Sequence, residues 1–173
     1  MLASHTNTAK MDTRATNLTS KDGEIVTIST RFGELTADLS KAIYFPKGIY
    51  GFPEDLHFVL LSFPTIREDL ENFKILQCLN DHSVSIPVLP ASYNNSLIDP
   101  EDMADCINTT EIKKEDFAML FIVSSQKQGE GFFRLFLNTK APIVIDTKLQ
   151  MAVQHVFTNN KYMVSQPLDS KKS

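Results

Sequence analysis

The feature that most constrains the fold is an alternation of apolar and polar side chains with a period of two. Val26, Ile28 and Phe32 share one face of a first segment, and Met151 and Val153 share one face of a segment near the C-terminus. This period is typical of half-buried β-strands, and turn residues separate the short alternating runs. The pattern predicts a mostly β chain, arranged as an antiparallel sandwich or barrel.

Three local signals refine this prediction. The run from Val84 to Val88 alternates, but Pro87 has no N–H to donate to a neighbouring strand, so we expect this strand at a sheet edge or on its outward side. The polar triplet 138–140 predicts a turn between two C-terminal strands. Helix is expected over Asp99–Ile107, where Asp99 can cap and Pro100 fits the first position, with a possible further turn at 111–116. The domain is therefore predicted to contain one or two short helices.

Composition narrows the class of protein and its compartment. The 173 residues carry 17 Lys and Arg against 21 Asp and Glu, a formal charge of −4, which argues against direct nucleic-acid binding. The longest apolar run, 118–123, is too short for a membrane helix, and the N-terminus lacks the apolar region of a secretory signal. We therefore expect a cytoplasmic protein without membrane contact. Its two cysteines, Cys78 and Cys106, are expected to be reduced thiols, with a single bridge as the alternative.

No catalytic, metal or cofactor motif is readable in the sequence. The four histidines (His5, His57, His82 and His155) lack the spacing of metal ligands. The segment 129–131 has two glycines but precedes a predicted strand, so it predicts a hairpin turn and not a phosphate loop. We expect a non-enzymatic protein with no catalytic residues, no metal and no cofactor. A Cys–His pair formed only in space is the open alternative.

Two motifs carry more information than the alternation. In the segment 43–53, a strand ends at Pro46, and two glycines at 48 and 51 permit left-handed backbone. This segment predicts either an exposed apolar loop that docks a partner or a rigid corner that closes one end of the sheet. In the segment 137–146, a polar turn leads into a branched apolar run that is typical of a buried strand.

Together these motifs resemble the FliW family of flagellar assembly factors. The family pattern has an IxFPxGIxGF segment, a strand containing Leu-Gln, an NLxAPIVIN segment, and then a Tyr and a Pro-Leu ending. The resemblance covers roughly residues 25–168. The matching residues in this sequence are Ile43, Phe45, Pro46, Gly48, Ile49, Gly51, Phe52, Leu76, Gln77, Asn138, Ala141, Pro142, Ile143, Val144, Ile145, Gln154, Tyr162, Pro167 and Leu168.

The resemblance implies a domain organisation and a set of structural residues. Residues 25–168 would form a small antiparallel β-barrel-like domain, flanked by a disordered or variable N-terminal tail at 1–24 and a C-terminal tail at 169–173. The motif residues expected to be structural are Gly48, Gly51, Gln77, Asn138, Ala141 and Pro142.

The resemblance also implies two protein partners. FliW proteins bind newly made flagellin and, in many bacteria, the translational regulator CsrA, whose repression of flagellin synthesis they relieve. For flagellin we expect contacts from the apolar loop, and for CsrA from the acidic helix, whose charge would attract a basic surface. The candidate partner-binding residues are Phe45, Pro46, Ile49, Phe52, Asp99, Glu101, Asp102 and Asp105.

Two alternatives stay open at this point. One is a flagellin-binding chaperone that does not bind CsrA. The other is a small β-barrel enzyme or ligand-binding protein that shares only the scaffold. A deep polar cavity holding His57, His82 or His155 would favour the second alternative, whereas a filled core with peripheral histidines would favour a protein-binding role.

Overall fold

The alternating segments become β-strands, so the mostly β prediction is confirmed in the computed structural model. It describes residues 23–54, 56–94 and 96–168; residues 1–22 of the predicted N-terminal tail 1–24 and the predicted C-terminal tail 169–173 lie outside them. The elements are β1 Ile25–Thr30, β2 Gly33–Asp38, β3 Ile43–Tyr44, β4 His57–Ser62, β5 Lys74–Cys78, β6 Ser85–Pro90, α1 Pro100–Thr110, β7 Phe117–Gly129, β8 Phe132–Asp146, β9 Met151–Gln154 and β10 Gln166–Pro167.

The strands β3 to β9 close into a ring. Neighbours from β3 to β9 pair antiparallel in chain order, and Tyr44 of β3 pairs in parallel with Met151 of β9. Closure removes the exposed edges that an open sheet would leave. The inward side chains of these strands form one apolar cluster, whose buried members are Ile43, Phe45, Ile49, Phe58, Leu76, Cys78, Ile86, Val88, Leu120, Ile143, Ile145 and Ala152.

Two parts of the outer surface of this ring are covered by the chain itself. The hairpin β1–β2 packs Ile28 and Ala37 against Val59 and Ile75 of β4 and β5. The helix α1 and the segment 157–162 cover the outward side chains of β7 and β8 in a second cluster. Each cover buries the apolar residues that alternate with the inward ones, so both faces of these strands are apolar.

Of the two positions predicted for the strand around Pro87, the sheet edge is wrong. The strand β6 pairs with β5 on one side and with β7 on the other. The pairing of β6 with β7 begins at Val88, so Pro87 lies just outside that ladder. The ring therefore accommodates this proline without an edge position, because the neighbouring ladder stops before it.

The turn predicted at 138–140 is an irregularity within a continuous strand. Ile122 of β7 pairs with Asn138 of β8, whereas Leu120 pairs with Ile143, so β8 carries extra residues at this point. The Asn138 side chain accepts a hydrogen bond from the Ala141 backbone N–H at 2.9 Å. The turn chemistry that the sequence indicates is thus used to form a bulge, which bends the strand without ending it.

The predicted helix and hairpin turn are both confirmed. Helix α1 begins after Asp99, whose carboxylate accepts from the Glu101 N–H at 3.0 Å, with Pro100 at its first position. It ends at Thr110, and the capping residue Glu111 adopts left-handed backbone with φ of 56°. The glycines at 129 and 131 join β7 to β8 in a tight hairpin.

Candidate functional site

The segment 45–53 forms a tight corner between β3 and β4. The Phe45 N–H donates to the Leu56 carbonyl at 2.7 Å, and Ile49 and Phe52 exchange backbone hydrogen bonds. Gly48 has φ of 62°, and a Cβ there would lie 2.6 Å from the Phe52 carbonyl oxygen. Both observations require glycine at this position. The corner is therefore rigid, as the second of the two sequence interpretations expected.

The exposure that we expected of Phe45 and Ile49 is wrong. Both side chains belong to the inner cluster, with 0% and 2% of their surface exposed. Their apolar character is used for packing, since Phe45 meets Phe58 edge-on at a centroid distance of 5.0 Å. Pro46 and Phe52 are exposed, so of the four residues named in this loop only these two offer surface to a partner.

Gln154 joins the two sequence motifs through hydrogen bonds. Its Oε1 accepts from the Tyr50 N–H at 3.0 Å, and its Nε2 donates to the Ala141 carbonyl at 2.9 Å. The corner is thereby fixed to the bulged part of β8. Gln154 was part of the resemblance, but the sequence analysis did not predict this role. The feature that could have indicated it is a polar residue within a strand whose other face is apolar.

The outer surface of β3 and β9 carries exposed apolar side chains. Met151 and Val153 point outward from β9, 39% and 37% exposed, because Ala152 between them points into the core. Tyr44, the backbone partner of Met151, is 38% exposed, and the adjacent Tyr50 is 71% exposed. We call these four residues the β3–β9 face. Sequence reasoning missed it, although Met151 and Val153 were correctly predicted to share a face.

His57 borders the β3–β9 face. Its ring lies 5.2 Å from that of Tyr44, and its buried Nδ1 has no hydrogen-bond partner among the residues that the structure describes. The Tyr44 ring therefore has an aromatic support on one side. This support limits the rotamers of Tyr44 and holds its ring in place at the surface.

The acidic residues of α1 divide into two pairs. Asp102 accepts from the Tyr162 hydroxyl at 2.5 Å and from Lys161 Nζ at 3.2 Å, while Asp99 lies 3.6 Å from the same Lys161 nitrogen. The Tyr162 hydrogen bond is the main cause that lowers the pKa of Asp102, and Lys161 adds to it. Asp102 thus attaches α1 to the C-terminal segment, and the exposed Asp99 adds a longer ion pair to the same lysine. Glu101 and Asp105, one helical turn apart, are exposed to solvent.

The motif residues expected to be structural lie at buried or tightly constrained positions. Gln77 is fully buried; its Nε2 donates to the Cys78 carbonyl at 3.0 Å and the His82 carbonyl at 3.2 Å, and its Oε1 accepts from the Ser85 hydroxyl. Ala141 and Pro142 are buried beside the bulge. Gly51 adopts φ of 93° with open space around it.

The histidines and cysteines are distributed around the barrel. His82 is exposed in a turn, and His155 packs edge-on against Phe157, where burial lowers its pKa. Cys78 lies in the inner cluster and Cys106 in the outer one, where burial raises the pKa of the Cys106 thiol to about 11. Within residues 23–54, 56–94 and 96–168, no three metal-binding side chains come together and no helix is long and apolar enough to cross a membrane.

These features define a class: a small closed β-barrel with an interior filled by apolar side chains. The family model described as "FliW protein" matches residues 26–168. The chain therefore belongs to the FliW family, as the resemblance predicted.

Named relatives and a solved structure agree with this assignment. The flagellar assembly factor FliW of Oceanobacillus iheyensis is 29% identical over 138 residues, covering 78% of this chain and 87% of that protein. The FliW of Clostridium beijerinckii is 29% identical, covering 82% of this chain and 96% of that protein. A crystal structure of the flagellar assembly factor FliW superposes with a TM-score of 0.65 at 27% identity, covering 86% of this chain and all of that one.

Proposed function

We propose that this protein is a non-enzymatic flagellar assembly factor of the cytoplasm that binds flagellin through the β3–β9 face. We further propose that it binds and antagonises the translational regulator CsrA through the exposed acidic pair Glu101 and Asp105. Flagellin would then control the pool of protein that is free to bind CsrA, and so regulate its own synthesis. This coupling is a thermodynamic linkage between two binding equilibria and needs no catalytic group.

The observation that carries the flagellin proposal is the uncovered state of the β3–β9 face. On β4, β5, β7 and β8, most outward apolar side chains lie under the β1–β2 hairpin or under α1; Phe132 and Phe133, which are also exposed, lie apart from the β3–β9 face at the start of β8. Exposed apolar clusters mark protein-binding surfaces, and tyrosine contributes strongly at the centre of such surfaces. Gln154 and Gly48 hold the backbone around Tyr50, so little conformational freedom would be lost on binding.

The support for the CsrA proposal is electrostatic. The net charge of −4 and the pairing of Asp99 and Asp102 with Lys161 leave Glu101 and Asp105 as the outward acidic groups of α1. An acidic surface accelerates association with a basic protein, and this acceleration falls with ionic strength. RNA-binding proteins carry such basic surfaces.

Calorimetric titration with flagellin and with CsrA from the same organism tests both arms. The double variant Tyr44→Ser/Met151→Ser should bind flagellin about thirtyfold more weakly or worse, because truncating central interface residues costs about 2 kcal/mol. The control Ile66→Ser removes a fully exposed apolar residue outside the face and should leave the affinity unchanged. Unchanged flagellin binding in the double variant would contradict the assigned surface.

A charge-reversal pair tests the CsrA arm. Glu101→Lys/Asp105→Lys should slow association with CsrA, most strongly at low salt, and leave flagellin binding intact. The matched control, Glu34→Lys/Glu130→Lys, makes the same charge change at exposed positions on two hairpins. Binding to flagellin but not to CsrA would indicate a chaperone without the regulatory arm. Binding to neither partner would contradict the whole proposal.

A further inference from the structure

A second apolar surface lies at one end of the barrel. It is a cleft of about 610 Å³, formed where the strand ends meet α1 and the turn before β7. The described side chains that line it are mostly apolar and include Leu60, Met103, Ile107, Phe117, Met119 and Ile145. None of the four residues of the β3–β9 face lines this cleft, so an occupant here goes beyond the proposed function.

The size of the cleft limits what can fill it. The cleft is open to solvent, and at about 150 Å³ for one benzene-sized group its volume of about 610 Å³ accommodates at most about four large apolar side chains. One face of an α-helix presents that number over about two turns, at positions i, i+3, i+4 and i+7. Met103 of α1 and Met119 of β7 both contribute to the lining, and methionine side chains adapt readily to an incoming surface.

The charge around the cleft selects among amphipathic partners. Lys41 and Lys114 contribute to the lining from different elements, and no acidic residue of the described chain lines it. Both lysines are exposed; Lys41 has a long contact of 3.8 Å with Asp38. Two cationic groups on separate elements are matched by two carboxylates spaced along an occupant. A helix with acidic flanks supplies these, whereas an amphiphile with a single anionic head supplies one.

We propose that this cleft docks an amphipathic helix of a partner protein whose apolar stripe is flanked by carboxylates. The apolar stripe buries its side chains against Leu60, Met103 and Ile107, which line the cleft and are at least partly exposed. The flanking carboxylates meet Lys41 and Lys114 at the rim, where the pairing sets orientation and excludes helices with basic flanks.

A charge-swap experiment tests the proposal. The probe is a synthetic helical peptide of about fourteen residues, or about four turns, with leucines at i, i+3, i+4 and i+7 and flanking glutamates. A second peptide has lysines in place of the glutamates. Fluorescence anisotropy should show that the protein binds the glutamate peptide about tenfold more tightly, a difference of about 1.4 kcal/mol. In Lys41→Glu/Lys114→Glu the preference should invert.

The matched control is Lys47→Glu/Lys127→Glu, which makes the same charge change at exposed positions outside the cleft. It should keep the preference of the original protein. Circular dichroism checks that each variant is folded. Failure of both peptides to bind, or a preference that does not respond to reversal at 41 and 114, would overturn the proposal.

The methionines locate the bound peptide directly. In a spectrum of ¹³C-methyl methionine, Met103 and Met119 should shift on peptide addition, whereas Met151 and Met163 should not. A shift confined to Met151 would place the peptide on the β3–β9 face and overturn the proposal. Displacement of the peptide by equimolar laurate would identify the cleft as a fatty-acid site and would also overturn it. Loss of flagellin binding in Tyr44→Ser/Met151→Ser leaves this result unaffected, so the two proposals fail separately.

Discussion

The outer surfaces of β4–β5 and β3–β9 belong to the same barrel, and both present apolar side chains. Over β4–β5 the hairpin β1–β2 buries Val59 and Ile75, whereas Met151 and Val153 on β9 stay partly exposed. The strands are alike in chemistry, and the difference lies in whether the chain supplies a cover. Apolar residues under a cover contribute to folding stability, and those without one are available to a partner.

The largest expected effect is the difference in stability between a substitution under the hairpin and one on the uncovered face. Ile75→Ala should lower the free energy of unfolding by about 2–5 kcal/mol, because it leaves a cavity under the hairpin. Met151→Ala should change it by about 0.5 kcal/mol or less, as at other exposed positions, while weakening flagellin binding. Urea unfolding measures the first quantity and calorimetric titration the second. Equal destabilisation by both substitutions would mean that the β3–β9 face is covered in solution.

This comparison also explains how much of the fold the sequence could predict. The period of two correctly identified which side chains share a face, including Met151 with Val153. It could not say what packs on that face, because the cover over Val59 comes from residues 25–38 in a separate part of the chain. The buried positions of Phe45 and Ile49 were missed for a related reason: a short apolar motif reads alike whether it closes a core or lines a surface.

The polar residues of the candidate site were the least predictable. Gln154 accepts a hydrogen bond from the Tyr50 N–H, which lies 104 residues earlier in the sequence, and donates one to the Ala141 carbonyl. Asp102 looked like a solvated helix start and instead binds Tyr162. Such contacts depend on closure of the barrel, which brings β9 beside β3 and the C-terminal segment onto α1. Local sequence pattern carries no information about this closure.

A smaller effect is expected in the corner segment 45–53, which supports the β3–β9 face. Gly48→Ala should lower the free energy of unfolding by about 3 kcal/mol, because left-handed backbone and contact with the Phe52 carbonyl both oppose a Cβ. Gly51→Ala, with open space around it, should lose only the backbone term of about 1 kcal/mol. Only the first variant should also weaken flagellin binding, since it displaces Tyr50. Thermal unfolding and titration of both variants measure the difference; equal losses would show that the close contact is not limiting.

The smallest effect concerns the cover over β7–β8, which is attached through Asp102. The pKa of this carboxyl is lowered in the folded protein, chiefly by the Tyr162 hydroxyl. A lowered folded-state pKa gives stability that is present above the unfolded value of about 4 and is lost as pH falls through the folded value. Asp102→Asn should therefore be less stable than the original protein at pH 7, and this difference in the free energy of unfolding should become smaller below pH of about 4.

Urea midpoints measured at pH 7 and at pH values below about 4 test this prediction, with Asp105→Asn as a control that removes an exposed carboxylate from the same helix. The control should keep a midpoint near that of the original protein at each pH, because its side chain does not hold the C-terminal segment. If the difference in urea midpoint between Asp102→Asn and the original protein is instead constant with pH, the charge of Asp102 does not contribute to the stability. The β7–β8 cover would then be held as the β1–β2 hairpin is, by apolar packing, and the two covered faces would differ from the β3–β9 face in the same way.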